Sequence, residues 1–263
     1  MTPGKAYNKM TRLTAILRCL LAVAAVAALP ARANIYTYMT YGNATAGGQP
    51  VSAGVTFDIS AGSMVVTLTN YEPSIVSVSQ DISSLTFNLL NGEHSYQINL
   101  ANSSTTISGT LVDIHSQTKT TTDGSLVNVA VGTSANSLTH WTANDGNQGS
   151  TILSDLSGGG QPEQTIIGPA GSDGNYSSVN NSIYGKYGNG PHNPFIQNTA
   201  TFRIASAGLL STTSVSNVNV GFGTSSCDTP LPTYRKIPEP GSIALLGIGA
   251  IALGRTLRRR RRS

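Results

Sequence analysis

Residues 55–70 read VTFDISAGSMVVTLTN, and in both halves every second side chain is apolar. Val55, Phe57 and Ile59 share one face of an extended chain, and Met64, Val66 and Leu68 answer them from beyond Ala61-Gly62. A period of two is that of a half-buried strand. Folding the stretch about Ala61-Gly62 pairs Ile59 with Met64, Phe57 with Val66 and Val55 with Leu68. Ala-Gly is not a pair that two-residue hairpin turns favour, so a longer or bulged loop is expected there.

The pattern continues outward. Residues 85–100, LTFNLLNGEHSYQINL, place Asn91-Gly92 between two alternating runs. A two-residue turn on that pair sets Leu85, Phe87 and Leu89 opposite Ile98, Tyr96 and His94. Further alternating runs lie at 107–114, 126–131, 138–141, 152–156, 199–204 and 218–222, separated by Gly, Asn, Asp and Ser turns. No segment has convincing helical periodicity. Short strands at this spacing predict an all-β domain, a single β-sandwich of the jelly-roll or Greek-key kind, over residues 34–222. Residues 157–198 keep Tyr176, Tyr184, Tyr187 and Phe195 among many glycines and are expected to form an ordered surface loop. Four prolines, Pro230, Pro232, Pro238 and Pro240, punctuate the region that follows, so 223–236 is expected to be a stalk.

Charge divides the chain. Of 16 Lys and Arg, five precede Asn34 and six lie between Arg255 and Arg262. Lys119, Lys186, Arg203, Arg235 and Lys236 remain against eleven acids, so residues 34–236 carry a formal charge of −6. Nucleic-acid binding, which needs clustered cations to replace phosphate counterions, is therefore not expected. Residues 1–33 have the form of a secretory signal peptide. Lys5, Lys9, Arg12 and Arg18 precede the apolar run CLLAVAAVAAL at 19–29, and the small-residue site Ala31-Arg32-Ala33 places cleavage before Asn34. Signal peptidase and the general secretion machinery are then partners. Ile16-Leu17-Arg18 is a poor lipobox for Cys19, and once the leader is gone Cys227 has no partner within the chain.

Residues 237–263 form a tripartite end: Pro238-Glu239-Pro240, an uncharged apolar run from Gly241 to Gly254, and Arg255 with Arg258, Arg259, Arg260, Arg261 and Arg262. As a helix, residues 237–254 would extend roughly 27 Å at about 1.5 Å per residue, near the thickness of a bilayer core. The arginines would hold its end on the cytoplasmic side. The two prolines keep the backbone around Glu239 extended, a shape that a processing enzyme can bind as a strand. This segment resembles the PEP-CTERM sorting domain, whose motif, transmembrane helix and Arg-rich tail are read by exosortases. The resemblance implies exosortase as a partner and a Gram-negative host that makes exopolysaccharide. It also implies transient anchoring in the inner membrane with the passenger periplasmic, followed by transfer to the cell surface or extracellular matrix. Around HNPFIQNTATFRIA at 192–205 and VSNVNVGFGT at 215–224 the passenger is similar to other passengers of this class, which implies a shared β fold and no chemistry.

Within the passenger, His94, His115, His140 and His192 show no metal-ligand spacing, and there is no GxSxG elbow or phosphate-binding loop. No cofactor is expected. Asn144, Asp145 and Asn147, and Asp173 with Asn175, could offer hard oxygens to calcium, but neither group has EF-hand spacing and both sit in ordinary turn sequences. Trp141 and the tyrosines Tyr176, Tyr184 and Tyr187 are the candidate ligand-binding residues, since aromatic rings stack on sugars while neighbouring Asn and Asp bond hydroxyls. The competing reading buries Trp141 in the core and uses the tyrosines to staple a loop. The expectation is a non-enzymatic, exported protein that associates with polysaccharide in a biofilm matrix. One alternative is a polysaccharide hydrolase with a carboxylate pair; the other is a self-associating structural protein, which crosslinking through Cys227 or concentration-dependent assembly would reveal.

Overall fold

The structure, a computed structural model of the 263-residue chain, describes residues 34–73, 75–92, 94–96, 103–114, 120–129, 140–145, 150–156, 162–176, 179–184, 192–224 and 230–236. The expected leader, the expected transmembrane run and arginine tail, Tyr187, His115, Asn147 and Cys227 lie outside them. Among the described residues no helix is long and apolar enough to cross a membrane.

Fifteen strands follow one another along the described chain: β1 (Asn34–Thr40), β2 (Thr45–Ala46), β3 (Gln49–Pro50), β4 (Ala53–Ser60), β5 (Ser63–Asn70), β6 (Ile82–Asn91), β7 (His94–Tyr96), β8 (Ser104–Ile114), β9 (Thr120–Val129), β10 (Thr142–Asp145), β11 (Ser150–Ser154), β12 (Ile166–Ile167), β13 (Phe195–Ala205), β14 (Ser214–Phe222) and β15 (Pro230–Lys236). One helical turn, α1 (Asn181–Tyr184), interrupts them.

The predicted sandwich is not what forms. Strands β6, β14, β15, β1, β4, β5 and β13 pair in that order, and β12 then pairs with both β13 and β6, closing a barrel of eight strands. The remaining strands extend from this wall, with β8 and β9 beyond β13, β11 and β10 beside β6, and β7 beside its end. Alternation fixes which side chains face inward, and it does so equally for two packed sheets or one closed sheet. The choice was made by the pairing of Ile166 with Ile82 and Ile196, contacts between residues far apart in the chain.

Two further expectations are corrected. Residues 230–236, assigned to a stalk, are a wall strand between β1 and β14. Their prolines are tolerated because Pro230 and Pro232 have a neighbouring strand on one side only: they pair with β14, and the pairing with β1 covers Thr233–Lys236. Residues 157–198, expected at the surface, contribute β12 and the first part of β13, and bury Ile166, Ile167, Tyr176 and Phe195.

The 55–70 hairpin forms with the predicted register, Ile59 with Met64, Phe57 with Val66 and Val55 with Leu68. Its turn is tight, not bulged, since Ser60 pairs with Ser63. Gly62 takes φ +78, and the neighbouring loop holds it there: Gly62 N donates to Leu209 O, and Ser206 N donates to Gly62 O. In the second hairpin Leu89 pairs with Tyr96 instead of His94, a slip of two residues that preserves the facing of alternate side chains.

The barrel interior is apolar. Phe57 meets Phe87 with ring centroids 4.9 Å apart, Tyr38 meets Phe57 edge-on at 6.0 Å, and Trp141 meets Phe202 at 5.1 Å. Edge-on contacts of this kind suit the ring quadrupoles. Tyr36 and Tyr38 donate their hydroxyls across the interior to Thr213 O and Val215 O. A second, smaller cluster around Ile75, Val112, Ile114, Tyr176, Ile183 and Phe195 covers one end. Outside, the wall is polar. Thr37, Thr56, Thr67 and Thr201 stand in one cross-strand row. This is the reverse of a membrane-spanning barrel, whose outward band is apolar.

Candidate glycan-facing wall

Trp141 does not face solvent. It is 1% exposed and donates Nε1–H to Gln164 O at 2.7 Å. Tyr176 is buried as well, its hydroxyl donating to Gly168 O at 2.7 Å, and burial pushes that hydroxyl's pKa up. Neither ring has a free face for a sugar, so these two candidates are core and staple residues. Tyr184 closes α1, and its side chain, like Tyr187, falls outside the described residues.

Among the described residues the exposed aromatics are others: Tyr41, Tyr71 and Tyr234. They come from three separate parts of the sequence and meet on the outer wall of β15, β1 and β4. Tyr234 lies opposite Met39, and Met39 opposite Gly54. Tyr41 follows two residues after Met39 and stacks obliquely on Tyr234, with centroids 5.3 Å apart. Tyr71 follows β5, and its backbone N–H donates to Ser52 O at 2.7 Å. Gly54 makes room for it, because a Cβ there would stand 2.7 Å from Tyr71 Cε2 and 2.8 Å from Met39 Sδ. The result is a strip of tyrosine and thioether surface with hydroxyls beside it. Thr37 and Thr56 oxygens are 3.3 Å apart, and those of Thr69 and Thr199 are 3.0 Å apart. Apolar ring faces next to a row of hydroxyls are the chemistry that grips a sugar chain. No sequence signal marks this strip, since each tyrosine sits alone in its segment.

His140, His192, Asp81, Asp155 and Glu163 lie towards the end of the barrel that β12 closes. His140 Nε2 lies 3.1 Å from Glu163 Oε2. His192 is buried with Nδ1 2.8 Å from Pro162 O; a carbonyl can only accept, so Nδ1 carries the hydrogen. Burial lowers the pKa of this ring, offset in part by Pro162 and Glu163. Asp155 is closed off from solvent, and neither of its oxygens meets a protein donor. Burial, with the Glu163 charge behind it, pushes its carboxyl up to about 8. Asp81 is buried in the same way and raised well above the usual carboxylate range. Its charge bears on Tyr176, whereas Asp155 feels Glu163. The two buried acids thus have different neighbours, and both are sealed from substrate. Among the described residues no group of three or more His, Cys, Asp or Glu could hold a metal ion. Of the residues considered for calcium, Asp145 is exposed beside Asn144 at the end of β10. Asp173 accepts from the backbone and side chain of Asn175, which lowers its pKa and makes an ordinary Asx turn.

Compared with known proteins, the chain matches the family model of the PEP-CTERM protein-sorting motif over residues 236–262. No curated protein and no solved structure matches it.

Proposed function

From the premise that this chain is an exosortase substrate, exported, anchored at a membrane and then released, we propose that its barrel is a non-enzymatic module that associates with extracellular polysaccharide in the biofilm matrix. The observation that carries this reading is the convergence of Tyr41, Tyr71 and Tyr234 beside threonine hydroxyls on one outer wall. Rings gathered on a folded surface and rimmed by polar groups are the mark of an interaction site. Three tyrosine rings beside threonine hydroxyls, with Lys236 as the one cation among the described residues bordering them, suit a hydroxyl-rich chain. No cofactor takes part, so chelation of calcium leaves binding unchanged.

Co-sedimentation of the released protein with exopolysaccharide from the producing cells tests this. Saturable binding is expected, and Tyr41→Ala combined with Tyr234→Ala should weaken it by about tenfold, the scale of a residue central to an interface. Equal binding by the double variant would remove the strip from the site, and no binding by the wild type would end the polysaccharide reading.

A further inference from the structure

The chain enters the barrel and leaves it at the same end. β1 begins at Asn34, and β15 runs antiparallel to it and ends at Lys236, which lies opposite Thr37. The sorting motif begins at that last strand residue, so nothing longer than Ile237 separates the wall from Pro238. While the tail holds the protein at a membrane, this end of the barrel is held against the bilayer with almost no linker.

The same end has an unusual surface. Ile35 is 57% exposed and Leu210 is 48% exposed, two of the most exposed large apolar side chains. The residues beside them are bonded to each other: Asn34 Nδ2 donates to Ser211 O at 2.6 Å. Loop 206–211 is in turn tied to the Ala61-Gly62 turn. Three cations accompany them. Lys236 ends β15, Arg235 sits with its guanidinium 4.7 Å above the Tyr36 ring, and Arg203 is exposed on β13 two residues before its end. Among the described residues these are the only Lys or Arg, in a passenger that is otherwise acidic. Among the described residues, Asp58 is the acid that stands opposite Ile35. The residues Glu72, Asp81, Asp155 and Glu163 are at the other end.

We propose that this end is a membrane-contact surface: before release, Ile35 and Leu210 seat in the interface of an anionic phospholipid bilayer while Arg203, Arg235 and Lys236 engage its headgroups. Apolar side chains ringed by Lys and Arg are the pattern by which proteins lie on anionic membranes. Each part is too weak to hold the barrel alone, but the tail raises the local concentration of lipid so far that weak contacts suffice. Contact fixes the orientation of the barrel and turns the tyrosine strip sideways to the membrane plane. Release then uncovers the cationic end.

Hydrogen exchange on the full chain, inserted through its tail into vesicles of phosphatidylglycerol or of phosphatidylcholine alone, tests this. In anionic vesicles, amides 34–37 and 206–213 should exchange at least about tenfold more slowly than in neutral ones, while 170–175 at the opposite end are unchanged. Arg235→Glu with Lys236→Glu should abolish the difference. Salt at about 1 M, where screening acts within about 3 Å, should do the same to the wild type without any substitution. Equal exchange in both lipids would overturn the proposal. So would protection that appears in detergent and grows with protein concentration, which would assign the surface to a second copy.

Discussion

At the end where the chain enters and leaves, the barrel is finished with short connections: the Ala61-Gly62 turn, the Gly92 turn and loop 206–213, pinned by Thr213 Oγ1 donating to Asn91. At the opposite end it is finished with buried polar side chains. Asn70 Nδ2 donates to Gln80 O and Ile166 O, Gln80 Nε2 donates to Pro50 O, and Gln80 Oε1 accepts from Val76 N. These bonds attach β12, the two-residue strand that closes the ring, to β5 and the turn at Val78–Gln80. The first end needs only turn residues. The second needs a network in which each member is satisfied, because a buried amide without partners costs about 1–3 kcal/mol. Asp81 and Asp155 sit in that second end without such partners. The contrast separates roles: the tail-bearing end is free to face lipid, and the sealed end holds the fold.

The comparison can be broken first at the tail. Pro238→Ala, Glu239→Ala and Pro240→Ala together should leave the precursor uncut in the membrane fraction, with release lost and the thermal midpoint of the barrel unchanged. Release at the normal rate would contradict it.

A smaller effect is expected at the sealed end. The Asp155 carboxyl titrates at about 8 when folded, against an ordinary 3.8, because burial first and Glu163 second disfavour its charge. A raised folded pKa in an acid means that its contribution is fully present below about pH 4 and is lost as pH rises towards 8, at about 1.4 kcal/mol per pH unit. Asp155→Asn should flatten the fall in denaturation midpoint between about pH 5 and 8, and parallel profiles for both proteins would refute the assignment. The smallest effect belongs to the wall between the ends. Gly54→Ala should displace only the far ends of Tyr71 and Met39, changing stability by less than about 1 kcal/mol while reducing polysaccharide retention roughly two- to threefold, about a third to a half of the double-tyrosine loss on a free-energy scale.

Much of the wall was legible because alternation is a local property. It gave the register of β4 with β5 to the residue, and the presence of β8, β11, β13 and β14. What stayed hidden was non-local. β12 is two isoleucines with no periodicity to read, yet it decides between barrel and sandwich. β15 was concealed by its prolines, which argue against a strand only when both edges must donate. The candidate site failed for the same reason. Trp141 and Tyr176 stood out as aromatics in polar company, but that company was the sealed end, whereas Tyr41, Tyr71 and Tyr234 gain meaning only once β15, β1 and β5 are placed on one wall. The sorting motif was legible because it is one contiguous stretch, matched as such over residues 236–262.

The position of β15 has a consequence for timing. The last of the described strands sits between the first of them, β1, and β14, so β1 keeps an open edge until residues 230–236 have been made and have paired. Pairings between chain ends are slow to find, and exposed edges recruit other chains. Closure of the ring therefore coincides with arrival of the sorting motif at the membrane, and a chain stalled just short of its end would be unfinished in fold and in address together.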